Sequence, residues 1–155
     1  MSRFEINATV TGFDRFDFEK KPVKKAMQRI GQKVQTDARR LVARKAISGG
    51  GDYPGRATGM LWKATKYRVS RPGFLVTIQP RATEGTVKAG EFYPAILYYG
   101  VRSSAKRRKD KKAQTGGGAW RIEPRSNWTV DAAEGRREWA QTTIMEALQA
   151  AIIAR

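Results

Sequence analysis

From Arg3 to Val10 apolar and polar residues alternate, with Phe4, Ile6, Ala8 and Val10 on one side and Glu5, Asn7 and Thr9 on the other. That is the period of a half-buried strand. Gly12 closes it. Phe13, Phe16 and Phe18 follow, interleaved with Asp14, Asp17 and Glu19, and read as a linker whose aromatics pack at a strand-to-helix corner. Pro22 suits the first turn of a helix. Val23, Met27, Ile30, Val34, Ala38 and Leu41 then recur at spacings of three and four, one apolar stripe with most of the basic residues off it. Gly31 weakens this helix by about 1 kcal/mol relative to Ala. It is expected to run to Ile47 and to stop at Ser48-Gly49-Gly50-Gly51.

Residues 52–57, with Pro54 and Gly55, form a loop. Thr58-Gly59-Met60-Leu61-Trp62 then opens a short turn or helix, with Thr58 as its cap. Lys66 to Ser70 and Phe74 to Gln79 read as two strands joined by the turn-forming tripeptide Arg71-Pro72-Gly73. Residues 81–90 are polar loop. The most apolar and aromatic run of the chain, Phe92 to Val101, comes next; its Pro94 to Tyr99 fits either a strand or a short helix, because periodicity does not discriminate over so few residues. Behind it stand the basic residues Lys106 to Lys112 and the glycines 116–118. Trp120-Arg121-Ile122 re-enters the sheet. From Asn127 or Thr129 a long helix runs to the C-terminus, with Val130, Ala133, Ala140, Ile144, Leu148 and Ile152 as its core stripe. These elements make one α+β domain over residues 1–155: a small, mainly antiparallel sheet packed against two long helices, with 102–118 as a flexible basic loop.

Charge changes the picture. The chain has 31 Lys and Arg against 14 Asp and Glu, a net +17. Most of the excess lies in two places, residues 21–47 with nine cations and one anion, and residues 102–112 with seven and one. Two basic surfaces on a nearly neutral body point to polyanionic partners. The candidate contacts in the second surface are Arg102, Lys106, Arg107, Arg108, Lys109, Lys111 and Lys112. Trp120, Trp128 and Trp139 are candidate anchors at a subunit interface, where aromatic residues and Arg are enriched, although large apolar groups also serve as ordinary core.

With no Cys and no His, disulfides, thiolate nucleophiles and the commonest transition-metal ligands are excluded. The N-terminal residues lack an apolar signal region, and no apolar run approaches the ~20 residues of a bilayer span, so a soluble protein made in a cytosol is expected. Asp131 with Glu134, or Glu134 with Glu138, lie one helical turn apart, but Arg136 and Arg137 beside them give the pattern of surface ion pairs. Neither glycine triplet is followed by the Lys-Ser/Thr of a phosphate loop. No catalytic, cofactor or metal site is expected.

The order of elements resembles the small neck or tail-completion proteins of long-tailed bacteriophages, minor virion proteins encoded between the head-closure and major tail genes. A basic amphipathic helix is followed by a Gly/Pro loop and a Thr-Gly-x-Leu motif, here Thr58-Gly59-Met60-Leu61, with Ala57 where the family usually has Asp. A strand pair leads to Tyr93-Pro94-Ala95-Ile96-Leu97-Tyr98-Tyr99-Gly100-Val101, similar to the family's Tyr-Ala-x-x-x-Glu-x-Gly-Thr stretch, with Tyr99 where an acidic residue is common. Pro124-Arg125-Ser126-Asn127-Trp128 matches the Pro-Arg-Pro-Phe-like lead-in to the last helix. The resemblance covers about residues 20–154. It implies a structural, non-enzymatic role in the virion, made in the host bacterial cytoplasm: a homo-oligomeric ring of six copies at the head-tail junction, touching neighbouring neck and tail proteins, with the basic loop near passing DNA or a neighbouring ring. The alternative from charge alone is a sequence-independent nucleic-acid-binding module, with the basic helix and loop on phosphates and Trp or Tyr stacking on bases.

Overall fold

The computed structural model describes residues 16–42, 48–56, 58–82, 87–88, 91–103 and 118–154. The segment Arg3–Val10, the helix end expected at 43–47 and the cations at 106–112 lie outside them. In chain order the elements are β1 (Phe16–Phe18), α1 (Lys20–Leu41), α2 (Met60–Ala64), β2 (Thr65–Val69), β3 (Val76–Pro80), β4 (Val87–Lys88), β5 (Glu91–Phe92), α3 (Tyr93–Tyr99), β6 (Val101–Arg102), β7 (Trp120–Ile122), α4 (Trp128–Glu134), α5 (Arg137–Ala151) and β8 (Ile152–Ala154). The fold is α+β, with small antiparallel sheets packed against long helices. The strands of the described residues are divided among four two-stranded pairs, β1–β8, β2–β3, β4–β5 and β6–β7.

The centre is α1. It lies between the β2–β3 hairpin on one side and α4 with α5 on the other, so its buried arc is wider than a single stripe. Val23, Ile30, Val34 and Ala38 are buried as their spacing predicts, and Ala26, Gly31 and Val42 join them. Leu61, Leu97, Trp128 and Ala132 complete the core, with Val76, Ile78 and Trp139 packed against it. On the hairpin side the register is Thr65↔Pro80, Tyr67↔Ile78 and Val69↔Val76. Gly31 is what permits this approach: a Cβ there would lie 2.5 Å from the Tyr67 ring and 2.7 Å from Val76. At the hairpin turn Gly73 has φ +93°, and a Cβ on it would lie 2.9 Å from Lys24 Cβ. Further along α1, Gln35 Nε2 donates to Thr65 O at 2.9 Å, and Arg39 Nε donates to the carbonyls of Trp62 and Thr65 at 3.1 Å each.

The N-terminus of α1 breaks a local rule. Its first turn holds no acidic residue, Glu19 at the N-cap makes no side-chain cap bond, and Lys20, Lys21, Lys24 and Lys25 crowd the positive end of the helix dipole. Lys20→Glu should therefore raise stability, by about 0.3–1 kcal/mol at low salt. Urea unfolding at low and high ionic strength checks this, since the gain should shrink as salt screens it.

Several expectations are corrected by packing. The segment 16–18 is no corner linker: it pairs with the end of the chain, Phe18 opposite Ile152, and Glu19 N donates to Ala151 O at 2.8 Å. Phe18 is thereby left half exposed, 6.2 Å from the Phe74 ring, instead of in the core. The second hairpin strand starts at Val76, since residues 70–75 are taken up by the turn. Residues 93–99 are helical. The cap of α2 is Gly59, and Thr58 Oγ1 only reaches Met60 N at 3.4 Å.

The C-terminal helix is two helices. Asn127 Oδ1 caps α4, accepting from the amides of Thr129 and Val130 at 3.2 and 3.3 Å. The chain then breaks at Gly135–Arg136, where Arg136 N bonds back to Ala133 O at 3.1 Å and the Arg136 side chain reaches Asp37 on α1 at 2.6 Å. The buried face stays in phase across the break, but it lies about one position earlier than the expected stripe. Ala132, Thr143, Ala147 and Ala151 are buried; Trp139, Ala140 and Ile144 are half buried; Val130, Ala133, Leu148 and Ile152, expected in the core, face outward. β8 then replaces the last turn of the expected helix. Among the described residues no helix is long and apolar enough to cross a membrane.

Candidate functional site

Of the seven cations expected to meet a polyanion or partner at 102–112, only Arg102 lies within the described residues. It sits on β6, where the basic loop leaves the body. Its guanidinium lies 3.7 Å from the centre of the Trp120 ring on β7, and its Nη1 donates to Gly118 O at 2.9 Å. Ser103 N donates to Ala119 O at 2.9 Å, beside the pairing of β6 with β7. The partly exposed Trp120 is therefore a surface aromatic with a stacked cation.

The three Trp candidates separate. Trp128 is 3% exposed at the heart of the core, and its Nε1 donates to the buried Thr65 Oγ1 at 3.3 Å. Only an indole-sized group fills the space where α1, α2, α3 and α4 meet, so Trp128 is not a surface anchor. Trp139 is half buried under Arg29, 5.8 Å from its ring. Sequence reading gave no distinct role to Trp62, whose ring lies between the guanidinium groups of Arg39 and Arg56 at 4.7 and 4.8 Å. Part of the cationic charge on α1 is thus engaged internally: Arg39 on Trp62, and Arg40 with Asp37 at 3.6 Å. The lysines of the first turns remain on the surface.

Two motifs distant in sequence meet at Arg125. Its amide donates to Leu97 O at 2.8 Å, tying the lead-in of α4 to α3, while its Nη1 is buried with no hydrogen-bond partner among the described residues. Burial raises the pKa of the nearby Tyr93 phenol above its usual value, and the Arg125 charge partly opposes that rise. The carboxylates considered as an acid pair are engaged separately. Asp131 accepts from Tyr53 OH at 3.0 Å, and Glu134 pairs with Arg137 at 2.7 Å. Among the described residues no group of three or more potential metal-ligating side chains converges.

Two surfaces stand out. One is apolar: Met145, Leu148 and Ile152 fall at helical spacing along α5 into β8, Ile152 is paired with Phe18, and Phe18 touches Phe74. Met145 is 62% and Ile152 52% exposed. The other is cationic. Lys66 and Arg68 on β2 stand opposite Gln79 and Thr77 on β3, on the face of the hairpin turned away from α1. With Arg81 they line a concavity of about 650 Å³. A second hollow of about 390 Å³, lined by Tyr98, Tyr99 and Trp128 among others, shares Gln79 and Pro80 with the first.

No known protein family, curated protein or solved structure matches this chain.

Proposed function

We propose that this chain is a virion structural subunit that closes into a ring at the head-tail junction of a long-tailed bacteriophage, in a neck, tail-completion or tail-terminator role. One observation carries the reading. On α5 the small residues Ala147 and Ala151 face α1, while the larger Met145, Leu148 and Ile152 face outward and continue into Phe18 and Phe74. An apolar strip of that kind is unfavourable on a lone subunit and is characteristic of an association surface. Self-association through unlike patches closes into rings when the rotation between neighbours allows it. The short strand pair β1–β8 beside the strip adds edges that a neighbouring copy can extend. In the ring, the Arg102–Trp120 stack holds the root of the basic loop in place, and Lys106, Arg107, Arg108, Lys109, Lys111 and Lys112 meet an adjoining neck or tail protein or the passing DNA. The role needs neither catalysis nor a cofactor, and places the protein in the virion after synthesis in the host cytoplasm.

Sedimentation velocity of the full chain, with electron microscopy of the same sample, tests it. Closed rings are expected, six-fold from the family resemblance. The double substitution Leu148→Glu with Ile152→Glu should leave a folded monomer by circular dichroism, because both side chains are exposed. A wild-type chain that stays monomeric at high micromolar concentration would overturn the proposal.

A further inference from the structure

We propose that the outer face of the β2–β3 hairpin, continued by Tyr98 and Tyr99, is a binding surface for single-stranded nucleic acid. The alternation along β2 turns Tyr67 and Val69 toward α1 and leaves Lys66 and Arg68 outside. They are two residues apart, a rise of about 6.7 Å, comparable to the separation of successive phosphates in an extended strand. Arg81 stands past the end of β3, where its amide donates to Ala64 O at 2.9 Å and its side chain lines the same concavity. Across the hairpin stand Gln79 and Thr77, which are neutral hydrogen-bonding groups, and among the described residues no carboxylate lines the concavity. Among polyanions, this arrangement of cations and neutral hydrogen-bonding groups suits phosphodiesters.

The aromatic continuation narrows the ligand to a strand with exposed bases. Gln79 and Pro80 line both the cationic concavity and the hollow beneath Tyr98 and Tyr99, so the two hollows adjoin. Tyr99 is 72% exposed, and its ring meets Tyr98 edge to face at 4.7 Å. A ring so exposed contributes little to the core, and its face is open for a base. Cations along a groove that ends in exposed aromatic rings constitute the general apparatus for sequence-tolerant single-strand binding. Stacked bases of a duplex cannot reach Tyr99 in this way. The surface shares no residue with the apolar strip on α5, so the inference does not depend on ring formation.

Fluorescence anisotropy of the full chain with labelled oligo-dT, titrated from about 50 to about 200 mM salt, is the test. Wild type is expected to bind oligo-dT more tightly than a duplex of equal length. Tyr99→Ala should lower oligo-dT affinity about 5- to 100-fold while changing duplex affinity little. The double variant Lys66→Gln, Arg68→Gln should reduce the slope of log K against log salt by about 1.4, two phosphate contacts at about 0.7 each. The matched control removes equal charge elsewhere, with Lys20 and Lys21 both changed to Gln, and should alter the slope much less. Three results would each overturn the proposal: Tyr99→Ala binding like wild type, duplex binding as tight as single-strand, or the α1 control losing as much as the hairpin variant. Far-UV circular dichroism of each variant separates lost binding from lost fold.

Discussion

Trp128→Ala is expected to cost about 3–5 kcal/mol, the range for removing a large aromatic from a core. Against a total stability of about 5–15 kcal/mol for a domain, that leaves the chain marginal or unfolded at ambient temperature. Two effects combine. The indole fills the junction of α1, α2, α3 and α4, and alanine would leave a cavity lined by Val34, Ala38, Leu61 and Leu97 that the surrounding helices cannot close. Its Nε1 also supplies a hydrogen bond to Thr65 Oγ1, which lies in a fully buried position and otherwise donates to Leu61 O at 2.9 Å. Trp128→Phe separates these effects, because it keeps much of the volume and loses the bond, worth about 1 kcal/mol. Urea unfolding of the two variants measures both. A loss below about 1 kcal/mol for Trp128→Ala, at the small end of the effects ordinary substitutions produce, would mean that Trp128 is not the centre of the core.

Gly31→Leu is the second large effect, and its sign separates helix propensity from packing. Propensity alone favours leucine over glycine in a helix by up to about 1 kcal/mol. Packing opposes it: even a Cβ at this position would lie 2.5 Å from the Tyr67 ring and 2.7 Å from Val76. Overfilling a closed contact costs about 1–3 kcal/mol or more. The hairpin cannot recoil freely, because Gln35 and Arg39 hold β2 and α2 to α1 through three hydrogen bonds to backbone carbonyls. A net loss of about 2 kcal/mol is expected, and Gly31→Ala should also destabilise. Tyr67→Ala should partly rescue either variant, a coupling that a double-mutant cycle reads directly. If Gly31→Ala stabilises the protein, the close approach of hairpin and helix is not a constraint. Displacing the hairpin also moves Lys66 and Arg68, so Gly31→Leu should weaken any binding that depends on them.

Much of the fold was legible because local periods are set by local geometry. The spacing of Val23, Ile30, Val34 and Ala38 defines one face of a helix wherever it packs, and the alternation of Val76, Thr77, Ile78 and Gln79 defines two faces of a strand. Asn127 announced the start of α4 through the chemistry of its side chain. The C-terminal helix was misread because Ala133, Leu148 and Ile152 were set on the buried face, which in the fold runs one position earlier, through Ala132, Ala147 and Ala151. The break at Gly135–Arg136 was also missed, and the ion pair from Arg136 to Asp37 helps to pin the second helix to α1. Of the polyanion candidates, Arg102 could be located, stacked on Trp120, whereas the six cations from Lys106 to Lys112 lie outside the described residues. The candidate surface at Lys66, Arg68 and Arg81 carried no warning in the sequence. Its cations are spread over sixteen positions, with Arg71 and neutral residues between them, and they converge only when the hairpin folds.

The sequence by itself determined the α+β class, the amphipathic central helix, the hairpin and the large positive charge. Each follows from residue type and short-range spacing. The tertiary structure decided what no spacing encodes: that Trp128 belongs to the core and Ile152 to the surface, that the segment 16–18 pairs with the chain's last strand, and that Gly31 is a point of contact. It also decided that Tyr99 continues a row of cations set on another element. These depend on which faces meet. Burial is assigned by the partner that covers a face, and that partner lies far away along the chain.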